Sequence, residues 1–167
     1  ADKIRRYIEL GKQEDCRLLL GQDDFAVQQA ANSGTVPTHY IAPHIFAGVR
    51  AEHSIARDEI FGPVLSVTHA SSFDEALDIA NDHRYKLTGG VFTRKPTNIE
   101  RAKREFRVGN LYVNRGCTGA LVARQPFGGF GMSGIGSKAG GPDYLMQFVE
   151  PRASCENTMR RGFAPEL

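Results

Sequence analysis

Along the middle of the chain, short apolar runs that are typical of strands alternate with apolar residues at helical spacing. Residues 64–67 form a short apolar run that predicts a strand, and apolar residues at helical spacing follow it. The motif Ser72-x-x-Glu75 is a capping box, which satisfies free N–H groups in the first turn of a helix. This part of the chain therefore predicts a strand followed by a helix.

The same order recurs immediately downstream. Residues 90–93 predict a second strand, and residues 111–113 predict a third. Between them, Thr97-x-x-Glu100 matches a second capping box and opens a second amphipathic helix. Two consecutive β-α-β units with short connections require right-handed crossovers. The pattern thus predicts an α/β fold, with a parallel sheet that carries helices on both faces.

The N-terminal part of the chain carries shorter signals. Asp2 is placed to cap a helix that ends near Gly11 or a few residues beyond, and its apolar stripe is Ile4, Tyr7 and Ile8. Residues 18–21 predict a short buried strand, and residues 22–38 predict a surface loop. Two extended segments, interrupted by Pro43, follow at residues 39–42 and 45–47.

The C-terminal end of the chain begins after a Gly-Gly-Pro break. Residues 144–150 are apolar and compatible with a strand, and a polar tail follows them. Such a strand near a terminus either leaves an edge that pairs with another chain or completes its own domain as a strand or helix. We therefore divide the chain into residues 1–142 and a C-terminal segment, 143–167, which we predict to contain an oligomerisation strand.

Composition narrows the class of protein. The chain has 167 residues, of which 41% are hydrophobic and 24% are charged, as in one ordinary globular domain. A net charge of +2 gives no basis for binding nucleic acid. No apolar run approaches the roughly 20 residues that a membrane span needs. We expect neither nucleic acid nor a transmembrane segment.

The cysteines give no sign of a disulfide framework or a metal site. Cys16, Cys117 and Cys155 are odd in number and widely spaced, without a C-x-x-C motif or a Cys/His cluster in the sequence. Unpaired cysteines fit a reducing compartment, and no secretory signal pattern is evident. We expect a cytoplasmic protein without a bound metal.

A glycine-rich stretch at residues 124–134 contains the sequence of a nucleotide-binding fingerprint. Residues 129–134 satisfy G-x-G-x-x-G, which holds a pyrophosphate only when it follows a strand and opens a helix. The residues that follow, 135–142, include three glycines and a proline and cannot continue a helix. The stretch is interpreted instead as an irregular loop whose backbone packs closely.

Two motifs, in this order, resemble a known family. Residues 59–63, Glu-Ile-Phe-Gly-Pro, resemble the E-x-F-G-P motif of the aldehyde dehydrogenase superfamily, and residues 125–134 resemble its P-F-G-G-x-x-x-S-G segment. Residues 108–115 and 118–122 are similar to members that act on L-glutamate γ-semialdehyde. The resemblance runs from the first helix to about Val149. It implies part of the catalytic domain of an NAD-dependent enzyme of proline catabolism.

The resemblance also implies roles for individual residues. Glu59 matches the carboxylate that accepts hydrogen bonds from the nicotinamide ribose of NAD, and Phe61 packs near the nicotinamide. Gly119 and Ala120 match the positions whose backbone N–H groups hold the α-carboxylate of the substrate. Phe127 matches the aromatic residue that packs against the aliphatic chain of the substrate.

The resemblance assigns no catalytic residue to this sequence. In the superfamily, the nucleophilic cysteine and the general-base glutamate belong to motifs that are absent here, so we expect the 167-residue chain alone to be inactive. We expect the full-length parent protein to be an NAD-dependent aldehyde dehydrogenase that forms a homo-oligomer. The alternative is a non-catalytic binding or oligomerisation module of the same superfamily.

Overall fold

The computed structural model describes the chain except for residues 22–28, 31, 35–39, 120–123 and 158–167. Its helices are α1 (Asp2–Gln13), α2 (Ser54–Arg57), α3 (Phe73–Asn81) and α4 (Pro96–Glu105). Its strands are β1 (Arg17–Leu20), β2 (His44–Ala47), β3 (Val64–Val67), β4 (Tyr85–Lys86), β5 (Thr88–Val91), β6 (Asn110–Val113) and β7 (Phe130–Gly131). A short 3₁₀ helix, Tyr144–Phe148, follows near the C-terminus. The α/β class predicted from the sequence is confirmed.

The main core lies between α1 and a three-stranded sheet in the order β1-β2-β3. Strand β2 is antiparallel to β1 and parallel to β3. Phe46 of β2 is fully buried, with Tyr7 and Ile8 of α1 and Ile55 of α2 in the same cluster. A Cβ on Gly11 would lie 2.9 Å from the Phe46 ring, so glycine at this position lets α1 approach the sheet.

The second β-α-β unit is confirmed. Strands β5 and β6 pair in parallel, and α4 connects them. Ala102 on the inner stripe of α4 and Tyr112 on β6 are both buried. The strand predicted at residues 90–93 begins two residues earlier than expected, at Thr88.

The first predicted β-α-β unit does not lie in one sheet. Strand β3 pairs with β2, whereas β5 pairs with β6, so α3 connects two separate sheets. The short strand β4 lies between them in sequence and pairs antiparallel with β7. Hydrophobic periodicity reports which face of a strand is buried, but it does not report which strand becomes its neighbour.

The Ser72 cap of the first predicted capping box is confirmed, its Glu75 half is not formed, and the second capping box is wrong. The Ser72 hydroxyl accepts a hydrogen bond from the Glu75 amide at 3.1 Å, although the Glu75 carboxylate turns to Ser71 instead of Ser72. Helix α4 begins at Pro96, one residue before Thr97. Its N-cap is Lys95, whose side chain makes no capping hydrogen bond. Proline suits the first helical position because it lacks an N–H, so Pro96 sets this start.

The N-terminal predictions are confirmed in outline. Helix α1 covers the predicted range, but its N-cap is Ala1, and Asp2 lies in the first turn. The predicted position of strand β1 is confirmed, but the prediction that it is buried is wrong. Leu19 and Leu20 are 52% and 49% exposed on this strand, which lies at the edge of the described sheet and has a neighbouring strand on one side only. Most of the loop predicted at residues 22–38, and residue 39 of the next segment, lie outside the described residues.

The predicted C-terminal strand is a 3₁₀ helix instead. The Tyr144 amide donates to the Gly141 carbonyl, and the Met146 amide donates to the Asp143 carbonyl. The Tyr144 and Phe148 rings meet edge to face, 5.5 Å apart, which this helical spacing permits. A strand needs a neighbouring strand for its hydrogen bonds, and none lies beside this segment among the described residues.

No helix in the described part of the chain is long and apolar enough to cross a membrane.

Candidate functional site

The E-x-F-G-P loop, residues 59–63, joins α2 to β3 and is anchored on both sides of its central phenylalanine. Ile60 is buried in the main core. A Cβ on Gly62 would lie 2.6 Å from the Cδ1 atom of Ile4, so only glycine fits against α1 here. The Lys3 ammonium donates to the Glu59 carbonyl at 2.7 Å. The loop is therefore fixed, whereas the Glu59 side chain is exposed.

Phe61 has an unusual conformation at the centre of this loop. Its φ is 60°, in the left-handed region that bulky residues rarely adopt, and the residue is 85% exposed. Such strain persists only where the surroundings enforce it, and it is common at ligand sites. The anchors at Ile60 and Gly62 supply that enforcement, and they hold an aromatic ring out from the surface.

A second region is organised by Tyr112 at the end of β6. The Tyr112 hydroxyl donates to the Thr118 carbonyl, and the Gln125 amide donates to the Tyr112 oxygen at 3.1 Å. One buried tyrosine thus joins the segment before Gly119 to the segment before Phe127. A cleft of about 470 Å³ opens here, lined by Gly109, Asn110, Leu111, Tyr112, Val113, Arg115, Gln125, Pro126 and Lys138.

The sequence-predicted substrate residues lie in these two segments. Gly119 is exposed, and a Cβ placed on it would have no atom of the described residues within 4 Å. Phe127 is half-buried and exchanges two backbone hydrogen bonds with Ala139, at 2.9 and 3.0 Å. Ala120 lies outside the described residues. Among the described residues, no hydrogen bond or ion pair joins the 59–63 loop to Gly119 or Phe127.

The glycine-rich loop packs its backbone closely, as the sequence predicts. The Gly128 amide donates to Asn110 Oδ1 at 3.4 Å, and Asn110 Nδ2 donates to the Pro126 carbonyl at 2.9 Å. Turns and bends follow Gly134, so no helix begins after the G-x-G-x-x-G sequence. The stretch does not form a dinucleotide fingerprint, which confirms the interpretation from sequence.

A polar groove of about 530 Å³ lies beside α2 and α3, close to the first loop. Its lining residues are Arg57, Asp58, Asn81, Asp82, His83, Arg84 and Lys86. Arg57 pairs with Asp82 at 3.0 Å, and Arg84 pairs with Asp58 at 2.7 Å. These four charges pair with one another, and the Lys86 ammonium donates a hydrogen bond to the Asn81 carbonyl at 2.6 Å.

The exposed cysteines lack the environment of a nucleophile. Cys117 and Cys155 are exposed, and neither has a hydrogen-bonded base among the described residues. The Cys117 sulfur lies beside β5, where a Cβ on Gly90 would come within 2.9 Å of it. An activated thiol needs a nearby base or a lowered pKa. Neither exposed thiol is placed for nucleophilic catalysis.

Sequence analysis missed one cluster of chemically active side chains. Cys16 is buried with its sulfur 3.1 Å from Nδ1 of His53, and Glu14 completes the group. Burial raises the pKa of the Cys16 thiol, and the Glu14 charge raises it further. Burial also opposes ionisation of Glu14, but hydrogen bonds from Ser54 hold its pKa below the usual value. Because 37 residues separate Cys16 from His53, no local spacing could reveal the pair.

Comparison with known proteins identifies relatives of the chain. The aldehyde dehydrogenase family matches residues 1–153. A 1-pyrroline-5-carboxylate dehydrogenase of Geobacillus kaustophilus (strain HTA426) is 48% identical over 155 residues, which cover 93% of this chain and 28% of that protein. The corresponding protein of Bacillus subtilis (strain 168) is 46% identical over the same shares. The chain thus spans 28% of the length of these curated relatives.

Solved structures give the same result. The 1-pyrroline-5-carboxylate dehydrogenase from Thermus with bound NAD is 48% identical with a TM-score of 0.78, covering 89% of this chain and 27% of that one. Proline utilization A from Bdellovibrio bacteriovorus, inactivated by N-propargylglycine, is 50% identical with a TM-score of 0.80, covering 99% of this chain and 16% of that one. The resemblance carried by residues 59–63 and 125–134 is confirmed, and the chain belongs to the aldehyde dehydrogenase family.

Proposed function

We propose that this chain is the C-terminal part of the catalytic domain of an NAD-dependent enzyme that oxidises L-glutamate γ-semialdehyde to L-glutamate in proline catabolism. Residues 1–142 belong to the catalytic domain, and residues 143–167 form an assembly segment. Relatives at 46% and 48% identity carry the name 1-pyrroline-5-carboxylate dehydrogenase, and one similar structure contains NAD. The similarity of the chain to these 1-pyrroline-5-carboxylate dehydrogenases is the single observation that carries the proposal.

The 59–63 loop is suited to hold the nicotinamide end of NAD. Glu59 offers an exposed carboxylate, which can accept hydrogen bonds from two ribose hydroxyl groups. The Phe61 ring projects beside it with 85% of the residue exposed, so it is available to pack against a planar ligand. Neither side chain contributes to the main core, and both are available for a cofactor.

The Gly119 and Phe127 segments are suited to hold the substrate. In our proposal, the backbone N–H groups of Gly119 and Ala120 bind the α-carboxylate, since successive main-chain donors form an anion-binding nest. Phe127 packs against the aliphatic chain of the substrate. The tether through Tyr112 supports this assignment, because it holds both segments against the same strand.

In this proposal, binding and orientation are the functions of the chain, and NAD supplies the hydride acceptor when it is bound. Aldehyde oxidation also needs a thiolate nucleophile and a base that activates water. The three cysteines of the chain do not fit that role, since Cys16 is buried and no base is hydrogen-bonded to the other two in the part of the chain that the structure describes. The 167-residue chain is accordingly expected to be inactive by itself.

The proposal extends to assembly and location. Four apolar side chains of the C-terminal segment are exposed, namely Leu145, Met146, Phe148 and Val149. Contiguous exposed apolar surface marks interaction sites, and a second copy of the same protein is the occupant that we propose. The described cysteines are all unpaired, which supports a cytoplasmic location.

Replacement of Glu59 by glutamine in the full-length protein tests the cofactor assignment. Loss of a charge-assisted hydrogen bond lowers kcat/KM for NAD by about tenfold to a hundredfold. The melting temperature stays unchanged because the side chain is exposed. Glu100→Gln is the matched control, because Glu100 is also an exposed glutamate but lies on α4. We expect this variant to leave kcat and KM unchanged. Unchanged kcat and KM in Glu59→Gln would contradict the assignment.

A further inference from the structure

Three side chains from distant parts of the sequence bring metal-binding atoms together. Glu14, Cys16 and His53 each offer one ligand atom, and these atoms all lie within 4.8 Å of one another. The Cys16 sulfur is 3.1 Å from Nδ1 of His53. Cys16 and His53 are both buried, and His53 is only 5% exposed. The cluster lies outside the 59–63 loop and the Tyr112 cleft.

Helix α1 ends in a geometry that places two of the three groups. Glu14 is its C-cap, and Asp15 follows with a φ of 59°. The Cys16 amide then donates to the Gly11 carbonyl at 3.2 Å, which is the six-to-one hydrogen bond of a Schellman motif. The left-handed residue reverses the chain direction between Glu14 and Cys16, so that both side chains reach His53.

The third group is held by the start of α2. His53 is the N-cap of this helix, and its amide donates to the Arg50 carbonyl at 3.1 Å. The Ser54 amide donates to Oε1 of Glu14 at 2.7 Å, which joins the end of α1 to the start of α2. The positions of all three groups are thus fixed by backbone hydrogen bonds.

Two polar atoms of the cluster have no protein partner. Oε2 of Glu14 and Nε2 of His53 are buried and make no hydrogen bond among the described residues. The Arg50 amide donates to Nδ1 of His53 at 3.2 Å, and the Cys16 thiol has two acceptors within reach, Nδ1 of His53 at 3.1 Å and the Glu14 carbonyl at 3.7 Å. Buried polar groups are nearly always satisfied, so the two unpartnered atoms, Oε2 of Glu14 and Nε2 of His53, call for a ligand.

The geometry points to a zinc-binding site formed by the Cys16 sulfur, an imidazole nitrogen of His53 and a carboxylate oxygen of Glu14. Mixed sulfur, nitrogen and oxygen donors suit zinc, and tetrahedral bonds of about 2.3 Å to sulfur and about 2.0 Å to nitrogen put those two ligands roughly 3.5 Å apart. The observed 3.1 Å is within a small side-chain adjustment of that value. A water molecule completes the four ligands.

Charge and protons balance at this site. The thiol proton leaves to solvent as the zinc–sulfur bond forms, and no electron is transferred. One thiolate and one carboxylate offset the two positive charges of the ion, while the imidazole stays neutral. The bound ion links the end of α1 to the start of α2, which leads directly into the 59–63 loop. Its role is structural, because it fixes the elements that carry this loop.

Cobalt absorption tests the site in the 167-residue chain. The variant Cys117→Ser/Cys155→Ser removes both exposed thiols and leaves Cys16 as the single cysteine. Addition of one equivalent of Co²⁺ to this metal-free protein produces a thiolate-to-cobalt charge-transfer band, and Zn²⁺ abolishes the band. Zinc at a hundredfold excess over its Kd raises the melting temperature by about 5–10 °C. Absence of the band overturns the proposal.

Single substitutions then test each ligand. Glu14→Gln retains an oxygen that can accept from the Ser54 amide, so the helix junction is preserved, and zinc affinity falls at least about tenfold. His53→Gln produces a similar loss. Circular dichroism verifies that each variant is folded. If one variant unfolds, the zinc affinity of the other variant decides the test. Affinity unchanged in the folded variants overturns the site.

Discussion

The carbonyl oxygen of Gly128 lies where a side chain on Gly109 would begin. A Cβ on Gly109 would be 1.6 Å from that oxygen and 2.7 Å from the Cα of Gly129. All of these atoms are backbone, so no rotamer change can relieve the contact. The start of β6 and the glycine-rich loop are therefore in direct main-chain contact, which explains the glycines on both sides.

Gly109→Ala is expected to destabilise the protein strongly. Overpacking against fixed backbone costs at least about 2 kcal/mol, and each kcal/mol lowers the melting temperature of a domain of this size by about 2–4 °C. Gly116→Ala is the matched control, because a Cβ there meets no atom within 4 Å. Equal melting temperatures for the two variants in a thermal scan would contradict the close contact.

Ser72→Ala is expected to remove the cap of α3. The Ser72 hydroxyl satisfies the Glu75 amide, so its loss costs about 1 kcal/mol in the free energy of unfolding. Thr97→Ala alters the residue that sequence alone assigns to the equivalent position on α4, where the structure shows no side-chain cap. Urea denaturation should show a lower free energy of unfolding for Ser72→Ala than for Thr97→Ala. A comparable loss of free energy in Thr97→Ala would mean that the second capping box does form.

Local patterns in the sequence predicted α1 and most of the strands and helices between residues 64 and 113, and the family resemblance predicted the candidate site. Strand β3 and helix α3 lie where the apolar pattern and Ser72 place them, because these signals act over a few residues. The partner of β5 could not be predicted, since sheet order depends on contacts between distant segments. For the same reason, the sequence could not show that Cys16 lies close to His53.

The roles of the cofactor and substrate residues remain predictions. The strand predicted at residues 144–150 failed because apolar character alone does not distinguish a strand from a short helix. The conformation of Phe61 could not be predicted from the sequence, because a φ of 60° is a property of the folded loop.

Gly119→Pro is expected to change substrate preference in the full-length protein. Proline removes one backbone N–H donor to the α-carboxylate, which raises the KM for glutamate semialdehyde at least about tenfold. The KM for an uncharged aldehyde changes far less, because that substrate has no carboxylate to lose. Steady-state kinetics with both aldehydes measures the difference.

A conservative variant distinguishes loss of the donor from general damage to the loop. Gly119→Ala retains the N–H, and the added methyl group meets no described atom within 4 Å. We expect its KM for glutamate semialdehyde to stay close to that of the unmodified protein. Equal losses for the charged and the uncharged aldehyde in Gly119→Pro would argue against the nest of backbone donors.

Met146→Asp/Phe148→Asp is expected to dissociate the homo-oligomer that we propose for the full-length protein. Both side chains are exposed, at 67% and 69%, on a short 3₁₀ helix. Apolar side chains are disfavoured in water, and a reciprocal contact with a second copy buries them. Two carboxylates at this position oppose that burial, because a charge without a partner is costly to desolvate. Light scattering then reports a smaller particle.

The matched control adds the same two charges to the neighbouring tail. Ala153→Asp/Ser154→Asp changes two exposed residues without removing apolar surface, and we expect it to keep the oligomer intact. Because the altered side chains lie outside the main core, the helical content of both variants should be unchanged by circular dichroism. If all three proteins scatter as particles of one size, the exposed apolar segment takes no part in assembly.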